Sequence, residues 1–288
     1  MAFRTIVVST HSKLEYSLNY LVYKTIDSTV KINLDEIHTI IIESTAVSIT
    51  TALILELIKK NIKIIFCDEK RNPSSEVLPY YGSSVATKRI QEQINWSNEI
   101  KDEVWKLIII EKIKNQAKVL AIINEDLSKD LYQFSKEVQS GDISNREGHA
   151  AKVYFNNLFG KDFTRGNSDE KNIFLNYGYS ILLSQFNKSI VSKGYITQIG
   201  IHHKNVFNEF NLGCDLMEPF RPIVDKLALN LNINNYKDEL INMLNLDVII
   251  DNQKQSLFNA INIYTSSIFK CLSEGSLTEI KFIEEYEF

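Results

Sequence analysis

Short runs rich in Val, Ile, Thr and Tyr open the chain, separated by polar breaks: Thr5 to Ser9, Leu14 to Tyr23, Thr29 to Asn33 and Ile37 to Ile42. Runs of that length and composition predict strands, so the first part reads as a β-rich unit. Within it Ile49, Leu53, Ile54, Leu57 and Ile58 fall at helical spacing over Ala46 to Asn61, and Ile62 to Phe66 returns to strand character. The spacing predicts one helix covering a sheet face. Beyond Ser84 the pattern changes. From Trp96 to Asn124, and again from Asn172 to Ser192, apolar residues recur every three or four positions, which predicts long helices.

Between the two patterns, Asn72 to Ser84 gathers Pro73, Pro79, Gly82 and several serines, the densest group of chain breakers in the sequence. The expectation is an α+β chain. A small N-terminal β-rich, β-sandwich-like domain with a helix covers residues 1–75, a linker 76–84, and a larger all-α C-terminal domain 85–288. Length agrees, because 288 residues are many for one compact core. With 44% hydrophobic and 24% charged residues, and only ten Gly and four Pro, the composition is that of an ordered globular protein.

The opening MAFRTIVVSTHS has too short an apolar run for a signal peptide, and no later stretch approaches the roughly 18 apolar residues of a membrane span. A cytoplasmic protein without membrane contact is expected. Cys67, Cys214 and Cys271 are odd in number, widely spaced and without a CxxC, which predicts buried thiols in a reducing compartment. A net charge of −4 argues against coating nucleic acid by bulk charge alone. Residues 274–288 hold five Glu and one Lys, so the rest of the chain is formally neutral and free to carry a basic face. That acidic end reads as a solvated tail.

No Gly-rich phosphate loop, GxSxG or HExxH is present, so common nucleotide, hydrolase and zinc-protease mechanisms lose their signatures. A scattered set of carboxylates and histidines remains. Asp215 and Glu218 lie three apart in FNLGCDLMEPFRP, a spacing that puts both on one helical face and lets them share a cation. Cys214, Met217 and Phe220 surround them, so a buried Glu218 needs a positive partner to stay ionised, either Arg221 or a metal. The doublet His202 and His203 lies shortly before; an imidazole there suits manganese or zinc better than magnesium. Ser144 to Glu147 reads as a capping box, and Gly148, Ala150 and Ala151 leave the first helical turn open to close approach by another segment or a phosphate. Arg146, Lys152, Lys193, Lys204 and Arg221 flank these motifs as candidate phosphate contacts.

The segments NREGHAAKVYFNNLFGKDF and GIHHKNVFNEFNLGCDLMEPFRPIVDK resemble the CRISPR-associated integrase that captures new spacers, most nearly its type II-A form. An early Glu followed by Gly with a downstream Tyr-Phe pair, a His a few residues after a Gly, and the acidic segment DLMEPFRP carry the resemblance, in that order. It implies a β-rich N-terminal domain for dimerisation and partner contacts, and a helical catalytic domain. Glu147, His203 and Glu218 then become ligands of one divalent metal, Mg2+ or Mn2+, with His203 preferred over His202 because it lies three residues after Gly200. Asp215 becomes a supporting acid.

The implied reaction is a transesterification joining the 3′-hydroxyl of a captured DNA fragment to the CRISPR repeat. The implied partners are double-stranded DNA, a second copy of the chain in a homodimer, and a small CRISPR-associated protein bridging two dimers. A DNA-end-binding ring protein and the RNA-guided effector nuclease complete the type II-A set. Two rival readings use the same residues differently: a metal-dependent nuclease on branched or single-stranded DNA, and a non-catalytic DNA scaffold. A third, a small-molecule metal hydrolase, requires an enclosed pocket around the three ligands.

Overall fold

The computed structural model describes residues 4–79, 85–277 and 280–286. The chain divides into two compact units, Met1–Gly82 and Ser83–Phe288. Residues 80–84 of the expected linker lie outside the described residues.

The first unit runs β1 (Arg4–Val8), β2 (Ser12–Ser17), β3 (Tyr20–Lys24), β4 (Thr29–Asn33), β5 (Ile37–Ile42), β6 (Val47–Ile49), α1 (Thr51–Lys59), β7 (Lys63–Cys67) and β8 (Pro73–Glu76). One sheet is ordered β1-β5-β7-β8 and the other β4-β3-β2-β6. Every residue of β5 is buried, as expected of a strand with parallel neighbours on both sides and covered faces. Leu14, Leu21, Leu34, Ile40, Leu53, Leu57 and Ile64 form the shared core of the sheets and α1.

The stretch Leu14 to Tyr23 is two strands, not one. Leu18 and Asn19 take φ of 48° and 68°, the two left-handed residues of a tight hairpin that pairs Tyr16 with Leu21. Asn19 donates to Asn33 Oδ1 (3.1 Å) and Asp35 Oδ2 (2.9 Å), while Leu18 stands 87% exposed at the tip. The expected helix from Ala46 starts later, because Val47–Ile49 pairs in parallel with β2 and Thr50 then caps α1. Pro73 opens the edge strand β8, a position that needs no ladder donor, so the breaker cluster begins inside the sheet.

The second unit runs α2 (Ala86–Ile94), α3 (Asn98–Ala121), α4 (Glu125–Lys136), α5 (Arg146–Phe159), α6 (Glu170–Ser192), α7 (Asn211–Met217), α8 (Arg221–Asn230), α9 (Tyr236–Asn242), β9 (Asp247–Ile250), β10 (Gln253–Ser256), α10 (Leu257–Glu274) and β11 (Ile283–Tyr286). The unit is helical apart from one small sheet, ordered β10-β9-β11. Helix α3, capped by Ser97, is buried on several faces and packs against α4, α5, α8 and α10. Among its buried residues are Lys112, Asn115 and Gln116, polar groups on an otherwise apolar helix interior.

The acidic end is not simply a solvated tail. Strand β11 pairs antiparallel with β9, and Glu284 accepts the Asn252 N–H at 3.1 Å. Cys67 and Cys271 are buried free thiols, and Cys214 is half-buried. Among the described residues no helix is long and apolar enough to cross a membrane.

Candidate active site

Helix α5 does not start on the Ser144–Glu147 capping box. Its N-cap is Asn145, held at φ 52° and ψ 44°, whose side chain accepts the Gly148 N–H at 3.3 Å. Asp142 takes the next two donors, the N–H groups of Arg146 (2.8 Å) and Glu147 (3.0 Å). Ser144 Oγ is buried and makes no hydrogen bond. With the orphan donors of the first turn satisfied by others, the Glu147 carboxylate is released from capping, and Oε1 lies 2.5 Å from Lys112 Nζ on α3.

Glu218 stands where α7 ends and a 3-10 turn, Glu218–Phe220, leads into α8. Asn115 of α3 donates to the Pro219 carbonyl at 2.9 Å and pins that turn against the central helix. Glu218 is 3% exposed, and the same Lys112 Nζ lies 2.5 Å from its Oε2 while Arg221 Nε lies 3.0 Å from Oε1. Burial alone pushes this carboxyl up; Arg221, Lys112 and His203 outweigh it and hold it below the ordinary carboxylate value. Lys112 shows the mirror image: burial disfavours its charge, and Glu218 and Glu147 more than restore it. Both contacts to Glu218 are ion pairs without hydrogen-bond geometry, so Glu218 Oε2 and Arg221 Nε make no directed hydrogen bond.

Asp215 serves the histidine loop. Fully buried, it accepts the N–H groups of Ile201 (2.6 Å), His202 (3.0 Å) and His203 (3.1 Å) and contacts Nδ1 of the His203 ring. That contact is the first cause raising the His203 pKa above its usual value; Glu218 and Glu147 add to it. With Nδ1 held, Nε2 is the ring nitrogen left for chemistry. Gly200 is required at the base of this loop, since a Cβ there would lie 2.6 Å from both Asp215 Oδ2 and the His203 carbonyl. His202 stacks flat on Trp105 of α3 (centroids 4.4 Å, 1°), and His203 meets the same indole edge-on at 5.7 Å.

Helix α3 is the element that sequence reasoning missed. Trp105 and Lys112 are seven residues apart, hence on one face, the first supporting the histidines and the second bridging the carboxylates. The signal was present: Lys112 follows Ile109 and Ile108 by three and four residues, which places a charge on the face those two apolar residues bury. Among the candidate phosphate contacts, Lys152 and Lys204 are exposed. Arg146 pairs with Glu137 at 3.0 Å, and Arg221 pairs with Glu218 and lies over the Tyr179 ring at 4.8 Å. Lys193 donates to Ser189 Oγ at 3.0 Å, and burial lowers its pKa to about 8.

As the side chains stand, no three His, Cys, Asp or Glu among the described residues gather closely enough to hold a metal ion. The place between Glu147 and Glu218 is taken by an ammonium group. Yet the donor set fits a hard divalent cation: two carboxylates from separate segments converge on one positive charge, beside an imidazole fixed by a buried acid. A cleft of about 630 Å³ is lined by residues of α3 and the C-terminal strand, including Lys114, Lys118 and Lys281, and none of the three candidate ligands lines it.

The family model for CRISPR associated protein Cas1 matches residues 5–240. The CRISPR-associated endonuclease Cas1 of Neisseria meningitidis serogroup C (strain 8013) is 33% identical over 232 residues, which are 80% of this chain and 76% of that protein. Among solved structures, a casposase bound to integration product superposes with a TM-score of 0.78 at 20% identity, covering 95% of this chain and 92% of that one. A chain of a Cas6-RT-Cas1--Cas2 complex gives a TM-score of 0.75 at 18% identity, covering 96% of this chain and 36% of that longer one. At those identities the two superpositions establish a shared fold.

Proposed function

The chain belongs to the Cas1 family of CRISPR-associated proteins, and on that premise we propose that it is a divalent-metal-dependent DNA integrase of CRISPR adaptation, of the type II-A form. The observation that carries the proposal is the convergence of Glu147 and Glu218 on a single buried positive charge, next to a histidine oriented by Asp215. Glu147, Glu218 and Nε2 of His203 are the groups that would hold Mg2+ or Mn2+. A divalent ion there would supply positive charge to polarise a scissile phosphate and stabilise the leaving oxygen.

In strand transfer the 3′-oxygen of the captured fragment forms a new bond to phosphorus while the bond from phosphorus to the repeat's own 3′-oxygen breaks. The attacking hydroxyl gives its proton to solvent and the leaving oxygen takes one up. Asp215 holds Nδ1 of His203 and leaves Nε2 free, and an Nε2 bound to the ion would be unavailable for proton transfer, so ligation is the role assigned to it. Lys152 and Lys204, exposed beside the two motifs, contact strand phosphates, so DNA binding weakens as salt rises. Double-stranded DNA, a second copy of the chain, and a small CRISPR-associated bridging protein are the partners; the Cas2-containing complex among the fold neighbours supports the last. The end-binding ring protein and the effector nuclease belong to the same set.

The name endonuclease carried by the Neisseria relative favours one second reading, in which water replaces the 3′-hydroxyl as nucleophile at the same site. Products separate the two. A short duplex with free 3′-hydroxyls is incubated with a supercoiled plasmid bearing a leader and repeat, in Mn2+, Mg2+ or EDTA, with and without the bridging partner. Joined products that vanish in EDTA and with Glu218→Ala are expected. Cutting without joining points to the nuclease, and a Glu218→Ala variant with undiminished activity contradicts the proposed site.

A further inference from the structure

We propose that Lys112 is an internal counter-cation, which holds Glu147 and Glu218 in their ligand positions and competes with the divalent ion for the same place. The inference rests on the reading of these carboxylates as metal ligands and goes beyond it, because it assigns a role to a residue of neither motif. Lys112 Nζ is 2.5 Å from an oxygen of each carboxylate, so it stands where an ion bridging the two would have to stand. Ammonium and ion cannot occupy that point together. Their charges also repel, and with Arg221 already beside Glu218 the two carboxylates are formally balanced before any ion arrives.

Two features suit a lysine to this exchange. Its side chain is a flexible stem of four carbons ending in a compact charge, so the ammonium can withdraw while α3 stays where Trp105 and Asn115 fix it. Its contact to Glu218 lacks hydrogen-bond geometry, so the one directed bond lost on leaving is the one to Glu147 Oε1. The consequence is a site preassembled without metal. Two carboxylates on separate segments, one of them buried, would otherwise repel and splay, and the ion's apparent affinity is lowered by the work of displacing the ammonium.

The test is Mn2+ binding by titration calorimetry on the full chain, with thermal unfolding recorded with and without Mn2+. Lys112→Met should bind Mn2+ about tenfold tighter or more, the gain expected when the ammonium-free site is at most about a tenth populated in wild type. It should also melt earlier than wild type without the ion and gain more from it. Lys112→Arg keeps a positive charge and grips the carboxylates with a rigid fork, so it should fold and bind Mn2+ more weakly than wild type. Unchanged or weaker binding in Lys112→Met overturns the proposal. If that variant does not fold even in Mn2+, wild-type or tighter binding in Lys112→Arg overturns it. Wild-type protein with no Mn2+ binding sensitive to Glu218→Ala overturns the metal reading itself, and this inference with it.

Discussion

Each unit of the chain buries a lysine against a carboxylate, and the two lysines are driven in opposite directions. In the N-terminal unit Lys63 of β7 is 3% exposed, with Nζ 2.6 Å from Glu76 on the neighbouring β8. Burial wins there, and the lysine's pKa falls below its usual value in spite of Glu76. In the helical unit Lys112 is 7% exposed, and Glu218 and Glu147 reverse the effect of burial. One acid on an adjacent strand makes a pair that burial strains. Two acids brought from α5 and the α7–α8 junction onto α3 make a field strong enough to hold a cation in a dry place, which is what a metal site needs.

The sharpest way to break this comparison is to remove a carboxylate from the stronger field. Glu218→Ala takes the nearest acid from both buried Lys112 and half-buried Arg221, and urea denaturation should show a loss of about 3 to 5 kcal/mol, the range for one partner removed from a buried pair. A loss below about 1 kcal/mol would mean the field is no stronger than a surface pair.

Asp225 tests whether the charge balance extends behind the site. Burial foremost pushes its carboxyl up to about 6, and Tyr179 hydrogen-bonds to it. The folded state therefore binds this proton more tightly than the unfolded chain does. Stability falls as pH rises from the ordinary aspartate value through about 6, and the loss persists above it. Asp225→Asn should remove that fall and gain about 3 kcal/mol relative to wild type at pH 8, read as a shift of urea midpoint between pH 4 and 8. An identical pH profile in both proteins would show that Asp225 ionises freely.

Asp215→Asn probes positioning without removing a ligand. The amide keeps one acceptor oxygen, enough for the Ile201 and His202 N–H groups, but sets an NH2 against His203 and loses the charge that fixes its ring, so Mn2+ affinity should drop about 10- to 100-fold. Equal affinity would release Asp215 from that role. The smallest effect belongs to the weaker field: the double change Lys63→Met, Glu76→Leu should stay within about 1 kcal/mol of wild type, because a buried pair is often replaced at no cost by apolar groups. A loss as large as that of Glu218→Ala would erase the contrast between the units.

Much of the architecture was legible because it follows from period. The isoleucine-rich run at Ile37–Ile42 and the long helices from Asn98 and Glu170 stand close to where their patterns predict. The hairpin at Leu18 and Asn19 was hidden, since its turn carries no glycine and an apolar leucine continues the strand pattern across it. At the site, the motif segments single out Glu147 and Glu218, which meet at Lys112, and His203, which meets Asp215, while the i, i+3 spacing did not show that Asp215 and Glu218 face different partners. Helix α7 ends at Met217, so the two acids serve different neighbours. The partners of Trp105 and Lys112 were not legible because they are distant in sequence, and periodicity reports burial, not which segments meet. A lysine at a core position of α3 was the available clue.

The most direct measurement is a crystal of the protein soaked in Mn2+ and examined by anomalous scattering at the manganese edge. The account predicts a peak within coordination distance of Glu147, Glu218 and Nε2 of His203, with the Lys112 ammonium moved out from between the carboxylates. Manganese bound elsewhere, or no peak while Lys112 remains bridging Glu147 and Glu218 at saturating Mn2+, would contradict it.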